Sequence, residues 1–68
     1  MKTIGEDLPR EMARVRDEIL PEYVAIGPAG RFAAGWMRAA LDQAAAAMAE
    51  GDLPKMIEAY QALKAAKL

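Results

Sequence analysis

Cysteine, histidine, serine and asparagine are all missing from this chain, and threonine occurs once, as Thr3. Without cysteine no disulfide can staple the fold, and with neither cysteine nor histidine a structural zinc has none of its usual ligands. Nucleophilic triads are excluded because there is no imidazole base. A carboxylate pair remains as an acid–base device, with Asp42, Glu50 and Glu58 as candidates, but it needs a concave pocket that three short helices do not readily enclose. The expectation is a protein that is not an enzyme and has no catalytic residue, no cofactor, no metal and no small-molecule substrate.

Long apolar runs are also absent. No stretch reaches the roughly 20 charge-free apolar residues of a membrane span, and Met1 to Asp7 lacks the apolar segment of a signal peptide. A cytoplasmic protein without a membrane partner is expected. An excess of charge of one sign is missing too: nine basic residues face ten acidic ones, for a net charge of −1. Segment 1–26 carries −2, 27–51 is neutral and 52–68 carries +1. Phosphate backbones are bound by a local surplus of Lys and Arg, so nucleic acid is not the expected partner.

What is present is alanine. Hydrophobic residues make up 54% of the 68, but sixteen of them are alanine, which leaves 21 large apolar side chains for the core. A chain of this length forms one small domain, residues 1–68, with a thin core. Self-association is the expected reinforcement.

Alanine at this density, with long charged residues and few β-branched runs, favours helix throughout. Proline and glycine divide it. A first helix should start near Leu8, with Asp7 as cap and Pro9 in the first turn. Leu8, Met12, Val15 and Ile19 share one stripe, with Arg10, Arg14 and Asp17 opposite it in water. Pro21 should kink or split this helix. Tyr23, Val24 and Ile26 then make a further turn, closed by Gly27 and followed by Pro28. The longest helix is expected over Ala29 to Glu50, with Ala33, Met37, Ala40, Leu41, Ala44 and Met48 on the core arc. Phe32 and Trp36 fall on its flank. Gly35, Ala39 and Ala46 form a strip of small residues, either plain exposed surface or a groove for a neighbouring backbone. Gly51 is read as a left-handed cap and Asp52 as the start of a last helix, with Leu53, Met56, Ile57, Tyr60 and Leu63 on its buried face. The expected fold class is all-α: a compact three-helix domain, its first helix kinked or split at Pro21, its second and third an antiparallel hairpin.

Gln43, Ala47 and Gly51 have the Gln-x-x-x-Ala-x-x-x-Gly spacing of DNA-binding helix-turn-helix units. Asp52 stands where such units place an apolar turn residue, and Leu53, Pro54, Lys55 and Glu58 are poor readers of base edges. Gly27-Pro28-Ala29-Gly30-Arg31 opens the long helix and could gather an anion, but lacks the phosphate-loop spacing and is better read as turn geometry. Ala49-Glu50-Gly51-Asp52, followed by Ala59-Tyr60-Gln61-Ala62-Leu63-Lys64, resembles the turn of tetratricopeptide arrays, although the chain holds barely one and a half such repeats.

Two longer segments, Leu20-Pro-Glu-Tyr-Val-Ala-Ile-Gly-Pro-Ala-Gly-Arg-Phe-Ala and Met48-Ala-Glu-Gly-Asp continuing through Met56-Ile-Glu-Ala-Tyr-Gln-Ala-Leu-Lys, resemble small proteins of bacteriophages and prophages. That resemblance implies a bacterial or phage setting and transfers no activity and no functional residue. The leading expectation is a non-enzymatic protein–protein interaction module, self-associating or bound to another protein, with a surface of Phe32, Trp36, Arg31 and Arg38. Large aromatics beside arginines are the residues that interface hot spots favour. Two readings of Trp36 stand side by side: an interface residue, or a lid over the Tyr23 to Ile26 segment. The alternative function is a small DNA-binding regulator using the hairpin around Gly51.

Overall fold

A computed structural model describes residues 3–68. Helix begins at Ile4, one turn earlier than Asp7 and Pro9 suggest, because the amides of Glu6 and Asp7 already donate to the Thr3 carbonyl at 3.0 and 2.9 Å. The helical state then continues to Glu50, and a second helix covers Leu53–Lys64; no strand occurs among the described residues. The all-α class stands, but the architecture differs from the expected compact three-helix domain with an antiparallel hairpin of helices two and three. Among the described residues there are two helices, one long and one short.

The long helix is not straight. At 1.5 Å per residue it would span roughly 70 Å, whereas the longest dimension of the molecule is 37 Å. It is divided by changes of hydrogen-bond register into α1 (Ile4–Arg14), a π turn (Val15–Ile19), α2 (Leu20–Ile26), a 3-10 turn (Gly27–Gly30) and α3 (Arg31–Glu50); the second helix is α4 (Leu53–Lys64).

Neither a split nor a break occurs at Pro21. Pro21 has no N–H to donate, and in an α turn its ring strikes the carbonyl four residues back. The wider turn immediately before it removes both problems: Leu20 donates to the Val15 carbonyl, five residues back, and Pro21 enters the first turn of α2. The change of direction falls later, at Gly27, whose φ of 82° and ψ of −138° lie outside the space open to residues with a side chain. Gly30 completes the corner. It is buried, and a Cβ there would lie 2.9 Å from the Tyr23 carbonyl carbon and nearer still to its oxygen.

Leu8, Val15, Ile19, Met37, Ala40, Ala44, Ala59, Leu63 and Ala66 form the buried cluster, with Met12, Leu20, Tyr23, Leu41, Met56 and Tyr60 packed around it. The α1 stripe is thus as expected, with Met12 half-buried. On α3 the buried arc is Ala34, Met37, Ala40, Ala44 and Ala47, and Met48 at its far end is exposed. On α4 the buried face is rotated toward Ala59 and Leu63, with Ala66 buried just beyond the helix end, leaving Leu53 and Ile57 outside. Small side chains explain the rotation. Alanine faces on α3 and α4 let two helices approach closely, and the fold spends its few large residues where α1 meets them.

Arg14, expected in water, is half-buried instead. Its guanidinium donates to the Leu63 and Ala66 carbonyls at 3.1 and 3.2 Å and to the Glu11 carboxylate at 2.8 Å. The Tyr23 hydroxyl donates to the Lys67 carbonyl at 2.6 Å. These groups bond the Leu63 carbonyl in the last turn of α4 and two carbonyls just beyond it, and Arg14 places a positive charge at the helix's negative end. On the surface, Arg16 hydrogen-bonds Asp17 at 2.9 Å and holds its carboxyl below the usual range; both side chains are more than half exposed, so this pair adds little stability.

Candidate functional site

Because the inward arc of α3 is almost all alanine, the helix's large aromatics must lie elsewhere. Phe32 is 88% exposed and Trp36 40%. They stand one turn apart, so their rings share a face, and Trp36 is the more covered of the two. Tyr23, in the segment before the corner, packs against the core cluster, and its hydroxyl is tied to the Lys67 carbonyl. Val24 and Ile26, just before the corner, are also exposed, at 49% and 57%.

Arg31 and Arg38 are exposed as well, but α3 does not gather all four expected residues into one patch. At roughly 100° per residue, Arg38 points about 160° away from Trp36, and Arg31 about 100° away from Phe32. The helix brings together Phe32 and Trp36 on one face and Arg31 and Arg38 along another.

Continuing from the aromatic pair toward the C-terminal end of α3, the same outward face carries Ala39, Gln43, Ala46 and Glu50, all exposed. There α4 runs alongside, and a cleft of about 260 Å³ opens between the helices, lined by Gln43, Ala46, Ala47, Glu50, Lys55 and Glu58. Its lining joins alanine methyl groups to two carboxylates and one ammonium. Sequence reasoning found Ala46 as a small residue but not this cleft, because Lys55 and Glu58 reach it only through the packing of α4. The signal available was the short connection: Gly51, with φ of 68° and ψ of 27°, and Asp52, whose carboxylate caps the Lys55 amide at 3.2 Å.

Chemically, this face offers aromatic and methyl surface with carboxylates and one ammonium, suited to binding. A second cleft, over Arg10, Glu11, Ala13, Arg14, Asp17 and Glu18, surrounds the Arg14–Glu11 ion pair already engaged with α4. Among the described residues no three carboxylates come together as a cation site, and no helix is long and apolar enough to cross a membrane. Comparison with protein-family models, with curated proteins and with solved structures gives no match.

Proposed function

We propose that this protein is a non-enzymatic protein–protein interaction module, working in the cytoplasm in a phage or prophage setting, whose working face is the outer side of α3 from Phe32 to Trp36. The observation that carries this reading is Phe32, a phenyl ring 88% exposed one turn from a partly covered indole. Apolar surface of that kind gains roughly 25 cal/mol per Å² when taken out of water, and a contiguous apolar patch is more often a contact site than idle surface. The missing imidazole, thiol and serine hydroxyl support a binding role over a chemical one. The DNA-binding alternative ranks lower because the Gly51 corner carries Glu50, Asp52 and Glu58 around Lys55 alone, an acidic balance that repels phosphates.

The test is a photo-reactive phenylalanine analogue placed at position 32 and, as control, at position 45, an exposed site on the opposite side of α3. Irradiation in cells should give protein adducts from position 32 and none from position 45. Absence of adducts, or equal adducts from both, would overturn the reading. Retention on heparin at low salt, lost steeply as salt rises, would favour the DNA-binding regulator instead.

A further inference from the structure

Charge is not evenly mixed along the chain. From Tyr23 to Leu41 there is no Asp or Glu, and the charged residues are Arg31 and Arg38. Both are exposed on α3, and among the described residues ion pairs form only at Arg14 and Arg16. Beyond Leu41 the same helix carries Asp42 and Glu50, so its first half is basic and its second half acidic. At roughly 100° per residue, Ala39 and Gly35 lie about 20° and 60° round from Phe32, between the aromatic line and the arginine line. The first turns of α3 thus form a shallow valley, walled by Phe32 and Trp36 on one side and by Arg31 and Arg38 on the other. We propose that this valley receives an acidic amphipathic helix of another protein, its apolar edge against the aromatic wall and its carboxylates against the arginines. This rests on the reading of the Phe32–Trp36 side as an interaction face and names the chemistry of the partner.

Charge complementarity carries the choice. Two guanidinium groups without counter-ions, beside a phenyl ring that is 88% exposed, match an occupant that is apolar along one edge and anionic along the other, since guanidinium holds carboxylate in a two-pronged fork. Gly35 agrees with a backbone lying close. Its φ is not positive, and a Cβ there would meet nothing within 4 Å, so the fold itself does not require glycine at a mid-helix position where it lowers stability relative to alanine. Length agrees too: Arg31 to Leu41 rises about 16 Å, the span of an ordinary three-turn helix. A flat anionic bilayer is a poorer match, because a plane laid on this face would continue over Glu50, which lies on the same side of α3 as Phe32 and is repelled by anionic headgroups.

Trp36 is the only tryptophan, so its own emission reports the binding. The probe is a tryptophan-free helical peptide of Leu and Glu at amphipathic spacing, titrated into the full chain beside a counterpart of Leu and Lys. The acidic peptide should shift Trp36 emission to the blue and bind at least about tenfold more tightly than the basic one, with the advantage shrinking as salt rises. Arg31→Glu combined with Arg38→Glu should reverse the preference, and Arg31→Lys with Arg38→Lys should keep its direction. Gly35→Leu should weaken the acidic peptide about tenfold with helix content by circular dichroism unchanged. Equal binding of both peptides, binding of neither, or a preference unmoved by charge reversal would overturn the acidic partner. Undiminished binding to Gly35→Leu would overturn the valley as its seat. Preference for phosphatidylglycerol vesicles over the acidic peptide would make a bilayer the occupant and overturn the proposal. The interaction face is tested apart from it: cross-links from position 32 that persist undiminished in the Arg31→Glu, Arg38→Glu chain would uphold that face and remove the acidic partner, whereas their absence from the unaltered chain would remove the face.

Discussion

The chain turns at Gly27–Gly30 and again at Gly51–Asp52, and the two corners are held by different means. At Gly51–Asp52 everything needed lies within a few residues. Asp52 donates to the Ala47 carbonyl at 3.0 Å and Gly51 to the Met48 carbonyl at 3.2 Å, the paired bonds of a Schellman cap, while the Asp52 carboxylate receives the Lys55 amide. At Gly27–Gly30 there is no side-chain cap at all. The corner depends on one left-handed glycine and on the backbone of Gly30 lying against that of Tyr23. A corner built from local hydrogen bonds tolerates loss of any one of them by a small increment; a corner built from backbone contact has no such margin.

Gly30→Ala is therefore the most damaging single methyl group in the molecule. Its Cβ would meet the Tyr23 carbonyl, which is backbone and cannot rotate away. Overpacking against a fixed group costs roughly 3 kcal/mol, comparable with the whole stability of a chain this small. Thermal unfolding by circular dichroism should show the variant largely unfolded at room temperature; a wild-type-like midpoint would mean that the first corner is no tighter than the second.

Gly51→Ala should be milder. Open space surrounds the position, so the cost is the left-handed conformation alone, about 1 kcal/mol, or a midpoint lower by roughly 4–8 °C. Equal losses at Gly30 and Gly51 would erase the distinction between the two corners. Asp52→Ala removes a cap whose bond is long and exposed, at 3.2 Å, and should cost about 0.5 kcal/mol, resolvable by urea denaturation as a small shift in midpoint at unchanged slope.

The same contrast explains what could be read in advance. Gly51 and Asp52 were legible because a left-handed glycine followed by an N-cap aspartate is a short-range pattern with a short-range cause. The stripe of Leu8, Val15 and Ile19 was legible from periodicity. The split expected at Pro21 is absent because its remedy, the Leu20 to Val15 hydrogen bond, is a change of register that propensity does not encode. Arg14 was placed in water because a helical wheel knows its own helix only; the carbonyls it serves, Leu63 and Ala66, lie about fifty residues away in sequence. Ile57 and Leu53 were placed inside because they are large, whereas the small Ala59 and, with it, Leu63 take the buried positions on α4. At the candidate site, Phe32 and Trp36 were legible as residues off the core arc; the cleft was not, since Gln43 and Ala46 become its wall only once Lys55 and Glu58 are packed beside them.

Phe32 sharpens the comparison from the opposite side. It stands two residues beyond Gly30, in the most sensitive stretch of backbone, yet only 12% of its surface is covered, the complement of its 88% exposure. If sensitivity near the first corner came from side-chain packing, removing the phenyl ring would be severe. If it comes from backbone approach, Phe32→Ala should change stability by less than about 0.5 kcal/mol, and the gain in helix propensity could offset even that. Urea denaturation of the two chains side by side is the measurement, and a large loss in Phe32→Ala would return the first corner to side-chain packing. A ring whose removal leaves its own fold unmoved is surface, and the sensitivity around it belongs to the Gly30 backbone alone.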